Sequence, residues 1–158
     1  MIEGFRRPEL SDAELISDYF HKYPTRSCDR TFANVYLWAK FYQVEFTQYK
    51  NTLVFRDNSA GYGYAFPVGT DEDVREVIPD LIRDAEEAGK PFCLYGITRE
   101  HFEQIEQWFP GQFTCEYNRD EADYVYETEK LATLSGKKLH SKRNHINKFK
   151  QVYDGRWE

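Results

Sequence analysis

Residues 70–89, TDEDVREVIPDLIRDAEEAG, constrain the fold more than any other stretch of this chain. Val74, Val77, Ile78, Leu81, Ile82 and Ala85 recur at the three- and four-residue spacing of a single helix face. Thr70 and Asp73 offer an N-terminal cap, and Gly89 a C-terminal stop. Pro79, inside the run, is expected to bend the helix or shift its start. Strand-like segments lie on both sides. Tyr62–Val68 follows the polar DNSAG loop, and Phe92–Gly96 is nearly all apolar, the type buried on both faces. A strand, a capped helix and a second strand close as a crossover that leaves the two strands parallel. The spacing therefore predicts Phe92–Gly96 parallel to Tyr62–Val68 and central in its sheet.

The flanks extend this pattern. Ser11 and Glu14 read as a capping box before Leu15, Ile16, Tyr19 and Phe20. A second helix is expected from Asp29, with Phe32, Val35, Tyr36, Ala39 and Tyr42 on its apolar face. The period then changes to alternation. Gln43–Tyr49 and Thr52–Arg56 read as a hairpin turning at Lys50-Asn51. After Phe92–Gly96, Thr98 caps a further helix, with Ile97 and Phe102 as a hydrophobic staple, ending at Pro110-Gly111. Phe113–Tyr117 and Asp123–Glu127 alternate as strands. Two helical pieces follow, Glu129–Leu134 and Lys137–Tyr153, divided by Gly136. The fold class is α/β, a mixed sheet flanked by helices with an extra C-terminal helix pair.

Charge is placed unevenly along the 158 residues, which carry a net charge of -6. Residues 137–158 hold seven Lys/Arg against Asp154 and Glu158, whereas residues 1–136 hold 14 Lys/Arg against 25 Asp/Glu. The acidic body argues against whole-surface attraction to nucleic acid or lipid, and the basic end points to a local anionic partner. Cys28, Cys93 and Cys115 have neither metal nor disulfide spacing and read as reduced thiols. No apolar run has the length of a membrane-spanning helix, and MIEGFRRPEL lacks signal-peptide character. The chain reads as cytoplasmic, with a place at the membrane periphery left open.

The basic stretch LSGKKLHSKRNHINKFK repays a helical wheel. Leu139, Ile146, Phe149 and Tyr153 share one arc, Lys142 falls inside it and Arg143 beside it. A charge on an apolar arc needs a partner when buried. The plain expectation is an ion pair with Asp123 or Glu127, or snorkelling to water. The alternative is recognition of a phosphate by Lys138, Lys142, Arg143, Asn144 and His145. His21, His101, His140 and His145 have no metal spacing, and no metal site is expected. No Ser–His–Asp constellation can be read, so no catalytic residue is assigned. Aromatic residues of the hairpin region, from Phe46 to Phe66, read as a sheet core.

The element order resembles the GNAT acetyltransferase fold without a clear first strand. The segment DYVYETEKLATLSGKKLHSKRNHINKF resembles, more specifically, the signature of a bacterial domain family related to the C-terminal domain of phosphatidylglycerol lysyltransferase. Asp123, Tyr124, Tyr126, Leu131, Leu134, Gly136, Lys137, Lys138, Leu139, Lys142, Arg143, Asn144, His145, Asn147 and Phe149 carry the match. The segments TFANVYLWAKFY and YAFPVG extend it over most of the chain. The resemblance implies a tandem protein of two GNAT-like modules, with residues 1–127 as the first and the basic segment 128–158 as the opening of the second. A strand of that second module would begin at Arg156-Trp157-Glu158.

Partners implied are the second module, a tRNA or an anionic lipid head group, and a further copy of the chain through exposed C-terminal helices. Acyl-CoA or aminoacyl-tRNA would serve the complete protein. For this chain no cofactor is expected, because its donor turn FPVGTDEDV has one glycine and then Asp71, Glu72 and Asp73. Those acids suit a helix N-terminus but repel a pyrophosphate. The function implied is an N-terminal module of an acyl- or aminoacyl-transferase, itself without a complete active site. The alternative is a non-catalytic module that binds an anionic partner through the basic helix.

Overall fold

The computed structural model describes residues 2–59, 62–154 and 156. Ala60 and Gly61 of the DNSAG loop, and the Trp157-Glu158 end where a strand was expected to begin, lie outside the described residues. The chain divides into two compact units, Met1–Tyr117 and Asn118–Glu158.

The first unit is a four-stranded mixed sheet with four α-helices, a GNAT-like α/β arrangement. A 3-10 turn at Leu10–Asp12 leads into α1 (Ala13–Lys22), and α2 covers Phe32–Trp38. Strands β1 (Val44–Tyr49), β2 (Thr52–Asp57) and β3 (Gly63–Ala65) precede α3 (Asp71–Glu87), β4 (Leu94–Tyr95) and α4 (Arg99–Trp108). Strand order is β1-β2-β3-β4. The first two pairs are antiparallel, while β3 and β4 run parallel across the α3 crossover, as the spacing predicts.

Local chemistry explains most element boundaries. Lys50 and Asn51 both take positive φ, 45° and 61°, as a two-residue type I′ hairpin turn requires. Thr70 accepts the Asp73 N–H at the start of α3, and Gly89 closes its end at φ 67°. The helix runs through Pro79 without shifting its start. Thr98 accepts the His101 N–H at the start of α4.

Several boundaries differ from expectation. The capping box before α1 is made by Glu9 and Asp12 rather than Ser11 and Glu14, because Arg6 draws the Asp12 carboxylate toward the Glu9 N–H. Helix α2 starts after Thr31, whose hydroxyl accepts from Asn34 N, and not at Asp29. The missing first strand survives as one bridge, with Arg6 and Phe46 exchanging both backbone hydrogen bonds. Strand β4 is an edge strand and not a central one. The segments expected to pair beyond it, 113–117 and 123–127, are not strands. Phe113 instead packs against Phe92 and Phe109 in the core beside α4. Alternation allows a strand, but only a partner edge makes one.

The sheet is covered on both faces. Val54 and Tyr64 pack against Val77, Leu81 and Ala85 of α3. Leu53, Phe55 and Phe46 pack against Ile16 and Phe20 of α1. Successive residues of β2 therefore serve opposite faces, as the pleat demands. A third cluster, Phe66, Val74, Ile78 and Ile105, joins α3 to α4.

Helix α3 also buries two acids that its apolar periodicity hides. Asp84, 1% exposed, accepts from the Tyr64 hydroxyl at 2.7 Å, from Arg56 at 3.3 Å and from the Ile2 N–H at 2.6 Å. Arg56 in turn donates to Glu45 at 2.8 Å and lies 3.9 Å from the Phe5 ring centre. Asp80 accepts from the Tyr49 hydroxyl and pairs with Lys50 and Arg83.

Burial alone would raise the Asp80 carboxyl, but hydrogen bonds from Lys50 and Tyr49 outweigh it and hold the group below the ordinary range. Burial likewise loses to Arg56 and Asn58 at Glu45. At Asp12 the Arg6 hydrogen bond dominates and lowers the value. Folded values below unfolded ones add stability that is complete above about pH 5 and drains away as pH falls below about pH 4. Urea unfolding is expected to show lower stability at about pH 3 than at about pH 7. Equal stability at the two would contradict this ion-pair account.

Candidate functional site

Two places carry the sequence expectations: the basic C-terminal unit and the β3–α3 turn. In the second unit, 122–127 leads into α5 (Thr128–Thr133), and a 3-10 turn at Lys137–Leu139 leads into α6 (His140–Tyr153). Leu134 at φ 48° and Gly136 at φ 89° make the sharp turn between them. Gly136 has the freedom this turn needs.

Arg143 fastens that turn. Its guanidinium donates to the carbonyl oxygens of Leu134 and of Gly136, the latter at 3.0 Å. The Leu134 carbonyl lies just past the end of α5, where carbonyls lack intrahelical partners. The carboxylate expected for Arg143 is thus replaced by backbone oxygens, and Glu127 instead pairs with Lys130 at 2.8 Å. His140 stands beside Arg143, 3.4 Å from it, and Asn144 is 3.3 Å from the other ring nitrogen.

Lys142 was expected to be partly buried on the apolar arc, yet it is exposed, and among the described residues it makes no ion pair. Lys138, Asn144 and His145 are exposed as well. The arc itself is uncovered: Ile146, Phe149, Val152 and Tyr153 are all exposed, and no residue of α5 or α6 is buried. His145 and Lys150 flank an apolar shelf formed by Ile146 and Phe149. Asp123 is exposed, as are Tyr124, Val125 and Tyr126, the last three at 88%, 79% and 60%. Tyr124 and Tyr126 stack on each other.

At the β3–α3 turn, Thr70 caps the Asp73 N–H, and Thr70, Asp73 and Asn51 of the hairpin line one side of an open cleft beside Lys22 of α1. The Asp73 carboxylate accepts from the Thr70 hydroxyl and from Asn51 at 3.2 Å, and these bonds lower its value. Asp71 and Glu72 complete an acidic first turn. Gly69 has a packing role: a Cβ there would lie 2.7 Å from Thr52 Cγ2, and Thr52 is fully buried. Gly69→Ala is therefore expected to cost about 1–3 kcal/mol, the usual range for overpacking. A thermal melt checks this, and an unchanged midpoint would show that Thr52 moves aside freely.

Among the described residues, no group of His, Cys, Asp and Glu could hold a metal ion, and no helix is long and apolar enough to cross a membrane.

Comparison with known proteins decides the family. Residues 20–158 match the family described as phosphatidylglycerol lysyltransferase, C-terminal. The chain belongs to that family. A solved structure, a conserved protein of unknown function from Bacteroides thetaiotaomicron, is 34% identical with a TM-score of 0.84. The match covers 98% of this chain and 52% of that one. An uncharacterized protein of Mycoplasmoides gallisepticum is 39% identical over 49 residues, which are 30% of this chain and 16% of that protein. The chain thus spans about half the length of the solved relative and a smaller share of the curated one. Membership in the lysyltransferase C-terminal family makes this a domain related to a transferase.

The residues missed by sequence reasoning are Arg56, Asp80 and Asp84. A charged residue near the end of β2 and acids four apart on α3 were the available signal.

Proposed function

We propose that this chain is a non-donor module of a GNAT-like acyl- or aminoacyl-transferase, and that its basic C-terminal unit engages a polyanionic donor, tRNA. Its family membership supports the reaction class. The observation that carries the reading is the β3–α3 turn. A GNAT-like module binds an acyl-CoA pyrophosphate on backbone N–H groups at this helix start. Here Thr70 already takes the Asp73 N–H, and Asp71, Glu72 and Asp73 make the first turn acidic. Those acids oppose a pyrophosphate at this turn, which favours a donor that this module meets through its basic unit.

The second unit supplies the cation density such a carrier needs. Lys137, Lys138, Lys142, Lys148 and Lys150 are exposed on one short stretch. Arg143 holds the stretch in shape through the Leu134 and Gly136 carbonyls. The uncovered arc of Ile146, Phe149, Val152 and Tyr153 supports a second GNAT-like module of the same protein as its cover. About 40 residues cannot bury a stable core alone. Titrating the chain with acetyl-CoA and with tRNA tests this reading. Acetyl-CoA is expected to give no saturable heat, and tRNA a saturable one that salt suppresses.

A further inference from the structure

The carboxyl ends of β3 and β4 gather a cation that the reading above does not use. Arg30 precedes α2 and reaches across to Phe66, the residue after β3, where its guanidinium donates to the backbone oxygen. Phe66 stacks flat on His101 of α4, with ring centres 4.0 Å apart and planes 7° apart. The Phe66 N–H donates to the Tyr95 carbonyl at 3.3 Å, so the end of β4 stands beside the same place.

Arg30 is half-buried, and its guanidinium lies 5.9 Å from the Phe20 ring centre; among the described residues the Phe66 oxygen is the guanidinium's one hydrogen-bond acceptor, and no carboxylate lies within ion-pair range. Its neighbour Asp29 is taken by Asn34 at 2.6 Å. Burial is the leading influence on Arg30 and weakens its basicity; Tyr95 and Asp29 only partly restore it. Burial also pushes up the Tyr95 phenol, with Asp57 adding to the effect and Arg30 opposing it. A desolvated guanidinium without a carboxylate is costly. A planar guanidinium with donors left over suits a two-oxygen ligand.

The location agrees. In open α/β sheets, ligands settle outside the carboxyl ends of the strands, where helix N-termini also point. At the α4 start, whose first turn also carries Glu100, the Thr98 N–H donates to His101 Nδ1, which leaves the far ring nitrogen to carry the proton.

We infer that Arg30, Tyr95 and His101 form a seat for an oxyanion, a carboxylate or phosphate group of a small molecule, with the Phe66–His101 stack as its apolar wall. All four of these residues belong to the first unit.

Amide and arginine side-chain NMR of the chain, titrated with sodium sulfate or sodium acetate against sodium chloride at matched ionic strength, tests it. Sulfate is the phosphate probe because its charge is constant over the pH range used. Saturable shifts at Arg30, Phe66, Tyr95 and His101 are expected. Tighter sulfate binding assigns a phosphate, and tighter acetate binding a carboxylate. Arg30→Gln should raise the dissociation constant at least about tenfold, the loss of one charge-assisted bond. His101→Phe keeps the ring stack while removing its N–H, and should weaken binding less, which protects the test if Arg30→Gln does not fold.

The bound anion should also raise the His101 value. In the unliganded chain burial lowers it first and Arg30 second, against Glu100 and Asp71. Shifts that fail to saturate, that chloride reproduces, or that survive both variants would overturn the site.

Discussion

Asp84→Ala is expected to destabilise the first unit by about 3–5 kcal/mol, the range seen when one half of a buried ion pair is removed. Three donors converge on this carboxylate: the Tyr64 hydroxyl, the Arg56 guanidinium and the Ile2 N–H. Tyr64 is fully buried and Arg56 nearly so, so none of them gains full hydration when the carboxylate leaves. The loss also spreads. Arg56 links Asp84 to Glu45 on β1, so the network ties α3 to β1, β2 and β3 and to the N-terminal segment. Asp84→Asn keeps an acceptor and the side-chain volume while removing the charge, and should cost less than the alanine change. Denaturant unfolding of both variants measures the difference. A loss below about 0.5 kcal/mol for Asp84→Ala, the size of an ordinary surface change, would mean the network holds nothing together.

The second large effect is expected on the proposed binding of tRNA by the C-terminal unit. If four of its exposed lysines neutralise phosphates, affinity falls about 100-fold between about 50 mM and 200 mM salt. Replacing Lys138 and Lys142 together by alanine should weaken binding at low salt and reduce the slope of log affinity against log salt by about 2. Both side chains are exposed, so the fold should be unaffected. Arg143→Ala should behave differently. Its guanidinium holds the Leu134 and Gly136 carbonyls, so its removal loosens the α5–α6 turn while changing the slope less than a lysine pair does. Binding measured at several salt concentrations separates the two. An unchanged slope in the double lysine variant would make the basic stretch a solvated surface.

What the sequence made legible was local. Helix α3 carries its cap, its periodic face and its stop within twenty residues, and the Lys50-Asn51 turn sits in the two residues that adopt positive φ. The parallel pairing of β3 with β4 follows from the crossover between them. What escaped depends on residues far apart in the chain. The edge position of β4 depends on whether 113–117 pairs with it, and Phe113 enters the core instead. Asp84 reads as the polar side of α3 until Arg56, 28 residues earlier, is brought against it. The candidate site shows the same division. Its cations were evident as residue types, but the wheel placed Lys142 on a buried arc that is exposed, and it offered Arg143 a carboxylate where backbone oxygens serve. A helical wheel orders residues around an axis and says nothing of what covers each side.

The central claim is the proposal that the β3–α3 turn, capped by Thr70 and acidic at 71–73, binds no acyl-CoA pyrophosphate. Calorimetric titration of the chain with acetyl-CoA tests it most directly. The Thr70–Asp73–Asn51 arrangement and the acids at 71–73 predict no saturable heat at any concentration the method can reach. A micromolar dissociation constant, abolished by a bulky replacement at Thr70 or Gly69, would contradict it and make this turn a working donor site.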